Sequence, residues 1–261
     1  MTKIKKIHMK KIKRIALITG GAKRIGASIA RHLHHCEVDI MIHHNHSSTD
    51  AKNLMAELNN LRANSAATIQ ADLLEPESYS DIVKEAINIF GQLDFLINNA
   101  STYYATPLDS VNDSNWNDLI GTNLKAPLLM SKHAAKYLKK TKGSIINITD
   151  AQIDNPKKNY IIYSLAKSGL TTLTKSLAKE LSPEIRVNAV APGAILWPEF
   201  NHEFDENYRN KVISQTLLKK TGSPEDISKA VEFLLLHAPY VTGHTLSVDG
   251  GRKLKKILQL Y

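Results

Sequence analysis

Short apolar runs alternate with amphipathic, helix-length runs along almost all of this 261-residue chain. No other feature narrows the available folds so far. A helix between two strands is long enough to return the chain to the same end of a sheet, so strands joined this way lie parallel. Arg14–Thr19, Val38–Ile42, Ala66–Ala71, Gly91–Ile97, Gly143–Thr149, Ile185–Val190 and His244–Val248 read as seven strands. Ala27–Cys36, Ser48–Asn64, Pro76–Phe90, Asn112–Gly121, Thr122–Lys142, a run through Tyr163 to Leu181, and Pro224–His237 read as helices. The expected fold is α/β, a single domain built on one doubly wound, parallel, seven-stranded sheet.

Composition agrees and excludes other classes. Hydrophobic residues make up 43% of the chain, enough for a full core. No apolar run reaches the ~18 residues of a membrane span, so no membrane partner is expected. The single cysteine, Cys36, rules out an internal disulfide and fits a reducing, cytoplasmic setting. Its side chain reads as a small apolar residue in a helix. The net charge of +9 is concentrated, because residues 1–14 hold seven of the 34 basic residues and no acid. A nucleic-acid-binding domain would spread its basic residues over a folded face. Residues 1–13 therefore read as a basic disordered tail and residues 14–261 as the folded domain, with no nucleic-acid partner. Arg252–Tyr261 is basic and amphipathic, and a partner subunit can order it.

Gly20-Gly21-Ala22-Lys23-Arg24-Ile25-Gly26 follows the first strand at once and opens the first helix. A strand, a glycine-rich turn and a helix form the first half of a dinucleotide-binding βαβ unit, which makes the sheet Rossmann-type. Gly20 and Gly26 permit the tight turn, and the helix N-terminus can receive a pyrophosphate. The Gly-x5-Gly spacing fits the general fingerprint loosely, and a purely structural turn accounts for the same glycines. Lys23 and Arg24 carry charge into the turn and favour phosphate. NAD-binding units usually place an acid at the end of the second strand for the ribose hydroxyls. Here that end reads His43-His44-Asn45-His46-Ser47-Ser48, without a carboxylate, which favours NADPH/NADP+ over NAD. A polar loop with incidental histidines is the plain alternative. A metal site would need Cys or acid ligands beside them, so no metal is expected.

Asp72-Leu73 ends the third strand, where the acid can hold an adenine amino group or cap the next turn. Asn98-Asn99-Ala100-Ser101 ends the fourth, at the carboxyl edge where ligands bind in open α/β folds. Tyr103 and Tyr104 lie in the following loop, where an aromatic can stack a flat ligand or pack on the surface. Asn123 sits within a helix, where an amide usually faces water. Asp150 stands at the end of the fifth strand, as a site candidate or a cap. Tyr163 and Lys167, four residues apart, share one helix face. A phenol of reference pKa about 10 exchanges protons poorly at neutral pH, and a nearby ammonium favours its anion. That makes Tyr-x3-Lys a workable acid/base unit, although ordinary amphipathic helices carry the same spacing. Pro192-Gly193-Ala194-Ile195-Leu196-Trp197-Pro198-Glu199 and the polar stretch to Asn207 look like a mobile flap.

Taken together, Thr19-Gly20-x3-Arg24-Ile25-Gly26, Asn98-Asn99-Ala100, Asn123, Tyr163-x3-Lys167 and Pro192-Gly193 fall in the order of the short-chain dehydrogenase/reductase family, which the chain resembles from about Arg14 to Arg252. The resemblance implies that Tyr163 is the acid/base, that Lys167 lowers its pKa and binds the nicotinamide ribose, and that Asn123 holds a proton-relay water. It places the dinucleotide against Gly20, Lys23, Arg24, Ile25, Asp72, Leu73, Asn99, Ala100, Ser101, Tyr163, Pro192 and Gly193, and it implies a homotetramer. Most members carry Ser thirteen residues before the Tyr, where this chain has Asp150. The pteridine reductases share that Asp. They also resemble the chain at Ala22–Gly26, Asn98–Ser101, Tyr103 and Thr106-Pro107, and their bacterial branch resembles it at Pro192–Glu199 and Val248–Arg252. The implied activity is NADPH-dependent reduction of a pterin or folate, such as dihydrobiopterin or dihydrofolate. Tyr103 would stack the pterin, Ser101 and Arg24 would touch cofactor phosphate and pterin, Trp197 would border the substrate, and Asp150 would relay the proton with Tyr163. Pteridine reductases often show His-x-x-Arg-Ser at the 2′-phosphate. Here His43, His46 and Ser47 take those places, with an imidazole replacing Arg. A 3-oxoacyl-carrier-protein reductase is the rival enzyme. A non-catalytic NADP-binding regulator would not need the Tyr/Lys pair.

Overall fold

A computed structural model describes residues 13–197 and 205–254 of the chain. The expectations for the basic tail, for Pro198 and Glu199 in the flap, and for the amphipathic end beyond Leu254 lie outside the described residues. Seven strands form: β1 (Arg14–Ile18), β2 (Val38–His44), β3 (Ala66–Gln70), β4 (Phe95–Asn98), β5 (Ser144–Ile148), β6 (Arg186–Pro192) and β7 (Thr245–Val248). All pair in parallel, in the order β3-β2-β1-β4-β5-β6-β7. The order reverses between β1 and β4, which is the switch point of a doubly wound Rossmann sheet. The helices are α1 (Arg24–His35), α2 (Ser48–Leu61), α3 (Ser78–Phe90), α4 (Asp113–Ile120), α5 (Ala126–Thr141), α6 (Ile161–Leu181), α7 (Glu206–Ser214) and α8 (Pro224–Glu232). None of them is long and apolar enough to cross a membrane.

Strand β1 shows how the sequence produces the layers. Ala16 and Ile18 pack into a core with α1, α2 and α8, whereas Ile15 and Leu17 pack on the other face with α3, α5 and α6. A strand covered on both faces gains nothing from alternating with polar residues, so it reads as one apolar run.

Three departures from the expected elements matter for the site. First, β2 continues two residues further, pairing His43 with Ile69 and His44 with Gln70. Both histidines are thereby buried in a strand and do not form its polar end. Second, the helical stretch between Asn112 and Lys142 is interrupted by a π turn, Gly121–Lys125, that carries Asn123. Third, α7 forms where no helix was expected, starting at the last two residues of the stretch expected to be a flap. The Asp205 side chain caps it by accepting from the Tyr208 N–H at 2.7 Å, and Glu206 sits in its first turn.

Candidate active site

The carboxyl ends of the central strands open on a cleft of about 580 Å³, within the ~300–1,000 Å³ typical of ligand clefts. The glycine-rich turn is its floor. Gly20 has φ +59°, and a Cβ there would lie 2.9 Å from Ala100 Cα. A Cβ at Gly26 would lie 2.2 Å from the Gly20 carbonyl oxygen. Glycine is the residue that allows both contacts. Asn99 braces the turn, its Nδ2 donating to the carbonyls of Thr19 (3.0 Å) and Gly20 (2.9 Å). Thr19 Oγ1 accepts in return from the N–H groups of Asn99 and Ala100. Helix α1 has no side-chain cap and no acid in its first turn. Its uncapped, dipole-positive N-terminus borders the cleft at Lys23, Arg24 and Ile25, as an anion site requires.

His43 does not play the part expected of it. Its buried ring accepts from the Gly20 N–H at Nδ1 (3.2 Å) and donates from Nε2 to the Ala71 carbonyl (3.1 Å). Burial lowers its pKa from 6.5 to about 4, with the bond to Ala71 opposing. His43 is thus a neutral strut tying the glycine turn to the end of β3, with both ring nitrogens already bonded to the backbone. His46, by contrast, is exposed on the cleft, beside Asn45, a cleft residue absent from the sequence expectations. Ser47 stands at the N-cap of α2 with its hydroxyl in no capping bond. Lys23 pairs with Asp50 at 2.9 Å, so the acid nearest this corner is held by a cation. An amide, an imidazole and a hydroxyl gathered at a helix start, where the first-turn carboxylate Asp50 is already paired with Lys23, fit a 2′-phosphorylated ribose. Asp72 Oδ1 caps the turn after β3 by accepting from the Leu74 N–H at 2.9 Å, and with Leu73 it also borders the cleft.

The far wall belongs to α6 and the end of β5. Tyr163 Oη donates to Asp150 Oδ2 at 2.9 Å, while Asp150 Oδ1 accepts from the Gln152 N–H at 2.6 Å. Lys167 is buried, donates from Nζ to the Ile148 carbonyl at 3.0 Å, and lies 5.8 Å from the Tyr163 ring centre. Burial lowers its pKa from 10.5 to about 8, with Asp150 pulling back. The expected lowering of the Tyr163 pKa by Lys167 is reversed here. Desolvation in the cleft wall, then the charge of Asp150 and the hydrogen bond to it, push the phenol well above its ordinary 10. The carboxylate is in direct contact with the hydroxyl and the ammonium is bonded elsewhere, so the nearer charge wins. The result is a phenol that holds its proton at neutral pH.

Asn123 is fully buried, not water-facing. Its Nδ2 donates to the carbonyls of Leu119 (2.9 Å) and Thr102 (3.0 Å), and its Oδ1 accepts from Ser101 Oγ at 2.6 Å. It seats the loop that brings Ser101 to the cleft, and its side-chain groups are engaged in doing so. Tyr103 is 40% exposed. Its ring stacks on Tyr160 (4.6 Å, 23°) and meets Tyr163 edge-on (4.7 Å, 80°). The sequence singled out Tyr103 alone. Tyr160, at the N-cap of α6, buttresses it, and the Thr106 N–H donates to the Asn159 carbonyl at 2.6 Å to hold the two segments together. Lys157 lies over Tyr160 (4.4 Å) and Tyr208 (5.3 Å). Trp197 meets Tyr208 edge-on, and its carbonyl accepts from both Arg24 Nη atoms at 3.3 Å. Pro192 borders the cleft, but Gly193 does not. Its N–H donates to the Val248 carbonyl, and a Cβ would fall 2.6 Å from Asp249 Cα, so that glycine serves the packing of β6 on the end of β7.

A family profile described as enoyl-(acyl carrier protein) reductase matches residues 20–253. Pteridine reductase 1 of Leishmania tarentolae is 36% identical, with the match covering 93% of this chain and 97% of that protein. 3-Oxoacyl-(acyl-carrier-protein) reductases of Staphylococcus epidermidis and Staphylococcus aureus are each 33% identical, over 90% and 92% of this chain and 97% and 98% of theirs. The chain belongs to the short-chain dehydrogenase/reductase family. It is an oxidoreductase of that family, whose reductases of this type use a nicotinamide dinucleotide.

Proposed function

We propose that this chain is an NADPH-dependent pteridine reductase that takes dihydropterins of the dihydrobiopterin or dihydrofolate kind to their tetrahydro forms, working in the cytoplasm as a homotetramer. The observation that carries the reading is Asp150, a carboxylate accepting the Tyr163 hydroxyl at 2.9 Å where most of the family has a serine. The relative named for pteridine reduction supports it. A bound reduced nicotinamide supplies the hydride. The chain's own groups supply the proton. Tyr163, held protonated, turns its hydroxyl from Asp150 to the substrate nitrogen, and Asp150, half-buried at the edge of the cleft, passes the replacement proton inward. Lys167 adds positive charge beside the pair and offers its remaining N–H donors to the nicotinamide ribose. Tyr103, braced from behind by Tyr160, gives a flat heteroaromatic ring a wall to lie against. Ser101 and Arg24 border cofactor phosphate and pterin alike, and His46 and Ser47 take the 2′-phosphate.

The test is NADPH oxidation by the purified full-length protein, with dihydrobiopterin and an acetoacetyl thioester in parallel. Turnover of the pterin alone supports the proposal. Turnover of the thioester alone would move the assignment to a 3-oxoacyl-carrier-protein reductase, the activity named for the two staphylococcal relatives.

A further inference from the structure

The carboxyl-terminal end of α1 carries a second cluster of reactive side chains. His32 and Cys36 lie four residues apart, on one face at the end of that helix. Glu232 closes the neighbouring α8, and His237 ends the π turn Phe233–His237 that follows. His32 Nε2 lies 2.7 Å from one Glu232 oxygen, and His237 Nε2 lies 3.1 Å from the other. The Cys36 thiol lies beside this pair, at the end of α1. Ligand atoms of His32, Cys36 and Glu232 all fall within 4.8 Å of one another. We propose that His32, Cys36 and Glu232, with His237 as the fourth ligand, form a zinc-class metal site that clamps α1 to α8.

The donor set selects the ion. Imidazole, thiolate and carboxylate together suit zinc and its late transition-metal neighbours, whereas calcium and magnesium favour oxygen-only shells. The dimensions agree. Zinc bonds of about 2.0–2.3 Å in a tetrahedron put ligand atoms about 3.3–3.8 Å apart, so side-chain movements of about 1 Å bring His32, Cys36 and Glu232 into a coordination shell, and His237, which meets Glu232 on its other oxygen, swings further to complete it. Direct His–carboxylate bonds would open to admit the ion, and the Cys36 proton would leave as it binds. The π turn is what recruits the fourth ligand. In an α-helix, residues five apart lie about 140° apart around the axis and cannot share one carboxylate. A π turn closes i to i+5 and brings His237 back over Glu232. The side chains of His32 and Glu232 are 23% and 24% exposed, so an ion can reach them from solvent. The site lies apart from the cleft. Helix α1 has 12 residues, and about 18 Å separates its ends. Its start borders the cleft and its end holds the cluster. The helices already touch one turn nearer the start of α1, with Ser28 and Ser228 Oγ atoms 2.8 Å apart. The metal would therefore fix how α1 is seated and take no part in the chemistry at Tyr163.

Cobalt(II) titration of the full-length protein, under a phosphine reductant that does not bind metal, tests the proposal. One equivalent is expected to produce a thiolate-to-cobalt charge-transfer band that zinc abolishes by displacement, and zinc is expected to raise the melting temperature. Cys36→Ser should remove the band. Glu232→Gln should weaken zinc binding by more than the about 10- to 100-fold that loss of an outer-shell partner costs. His35→Ala, one position from the cluster, should change neither. The absence of a band, or zinc affinity unchanged in both Cys36→Ser and Glu232→Gln, would overturn the proposal and leave a metal-free polar clamp. Both variants are close in size to the native residues and lie at the surface, and circular dichroism checks that each is folded.

Discussion

Among the groups through which acid should destabilise this protein, one buried histidine stands out. His43 is 2% exposed and is held neutral with its pKa lowered from 6.5 to about 4. Above pH 6.5 the folded and unfolded chains both carry neutral imidazole and the effect vanishes. Between pH 6.5 and 4 the unfolded chain binds a proton that the folded chain refuses, so stability falls as pH falls. Below about pH 4 both states are protonated and the loss levels off at about 3.4 kcal/mol. At pH 5 it amounts to about 2 kcal/mol. His43→Gln isolates this contribution. Glutamine cannot take the proton, and it cannot satisfy both the Gly20 N–H and the Ala71 carbonyl in the same geometry. At pH 7 the variant should be less stable than the native chain by about 1–3 kcal/mol. Urea unfolding at pH 7 and pH 5 would show that gap closing by about 2 kcal/mol, because only the native chain loses stability at this position. Parallel stability–pH curves for the two proteins would refute the assignment of His43 as a buried, neutral strut.

Tyr163→Phe should lower turnover about 10²- to 10⁴-fold and affect NADPH affinity far less; full turnover would show that the proton comes from elsewhere. Lys167, with its pKa lowered to about 8, should give kcat/KM a falling limb above about pH 8 as the ammonium is lost, and a profile flat to pH 10 would exclude that role. The sign for stability is opposite. From pH 8 to 10.5 the unfolded chain binds more protons at this residue than the folded one, so the Lys167 contribution grows more favourable with pH. His46→Arg should tighten NADPH binding about ten-fold at low ionic strength by adding a permanent, fork-shaped cation, with the gain shrinking as salt is raised. Fluorescence titration at two salt concentrations measures it.

The sheet and the outline of the cleft were legible because their signals are local. An apolar run, a glycine that must lie close to another backbone and two residues four apart on one helix each occupy a few neighbouring positions. Features that depend on distant partners were not legible. His43 reads as the polar end of a strand until β3 pairs alongside and buries it. The direction of the Tyr163 pKa depends on whether Asp150 or Lys167 reaches the hydroxyl, which spacing alone cannot decide. Tyr160 was visible at the start of α6, but nothing in the sequence says that Tyr103 stacks on it. The His32–Cys36 pair was readable as neighbours on one helix face, yet Glu232 reaches them from the other end of the chain. Helix α7 did leave a local signal, Asp205-Glu206 ahead of Tyr208, but the Pro- and Trp-containing stretch before it reads as loop. Asn123 was legible as a residue and not as a geometry, because a π turn has no compositional signature.

That π turn sets two demands on the protein against each other. A π turn holds one residue more than an α-helix of the same rise would need, and its hydrogen bonds are the poorer for it. Removing one residue between Gly121 and Lys125 would let α4 and α5 run on as one unbroken helix, a better helix by every local measure. It would also rotate Asn123 away from Leu119, Thr102 and Ser101 and release the loop that closes the cleft. A library screened only for heat resistance would therefore tend to accept such a deletion, and one screened for turnover would reject it.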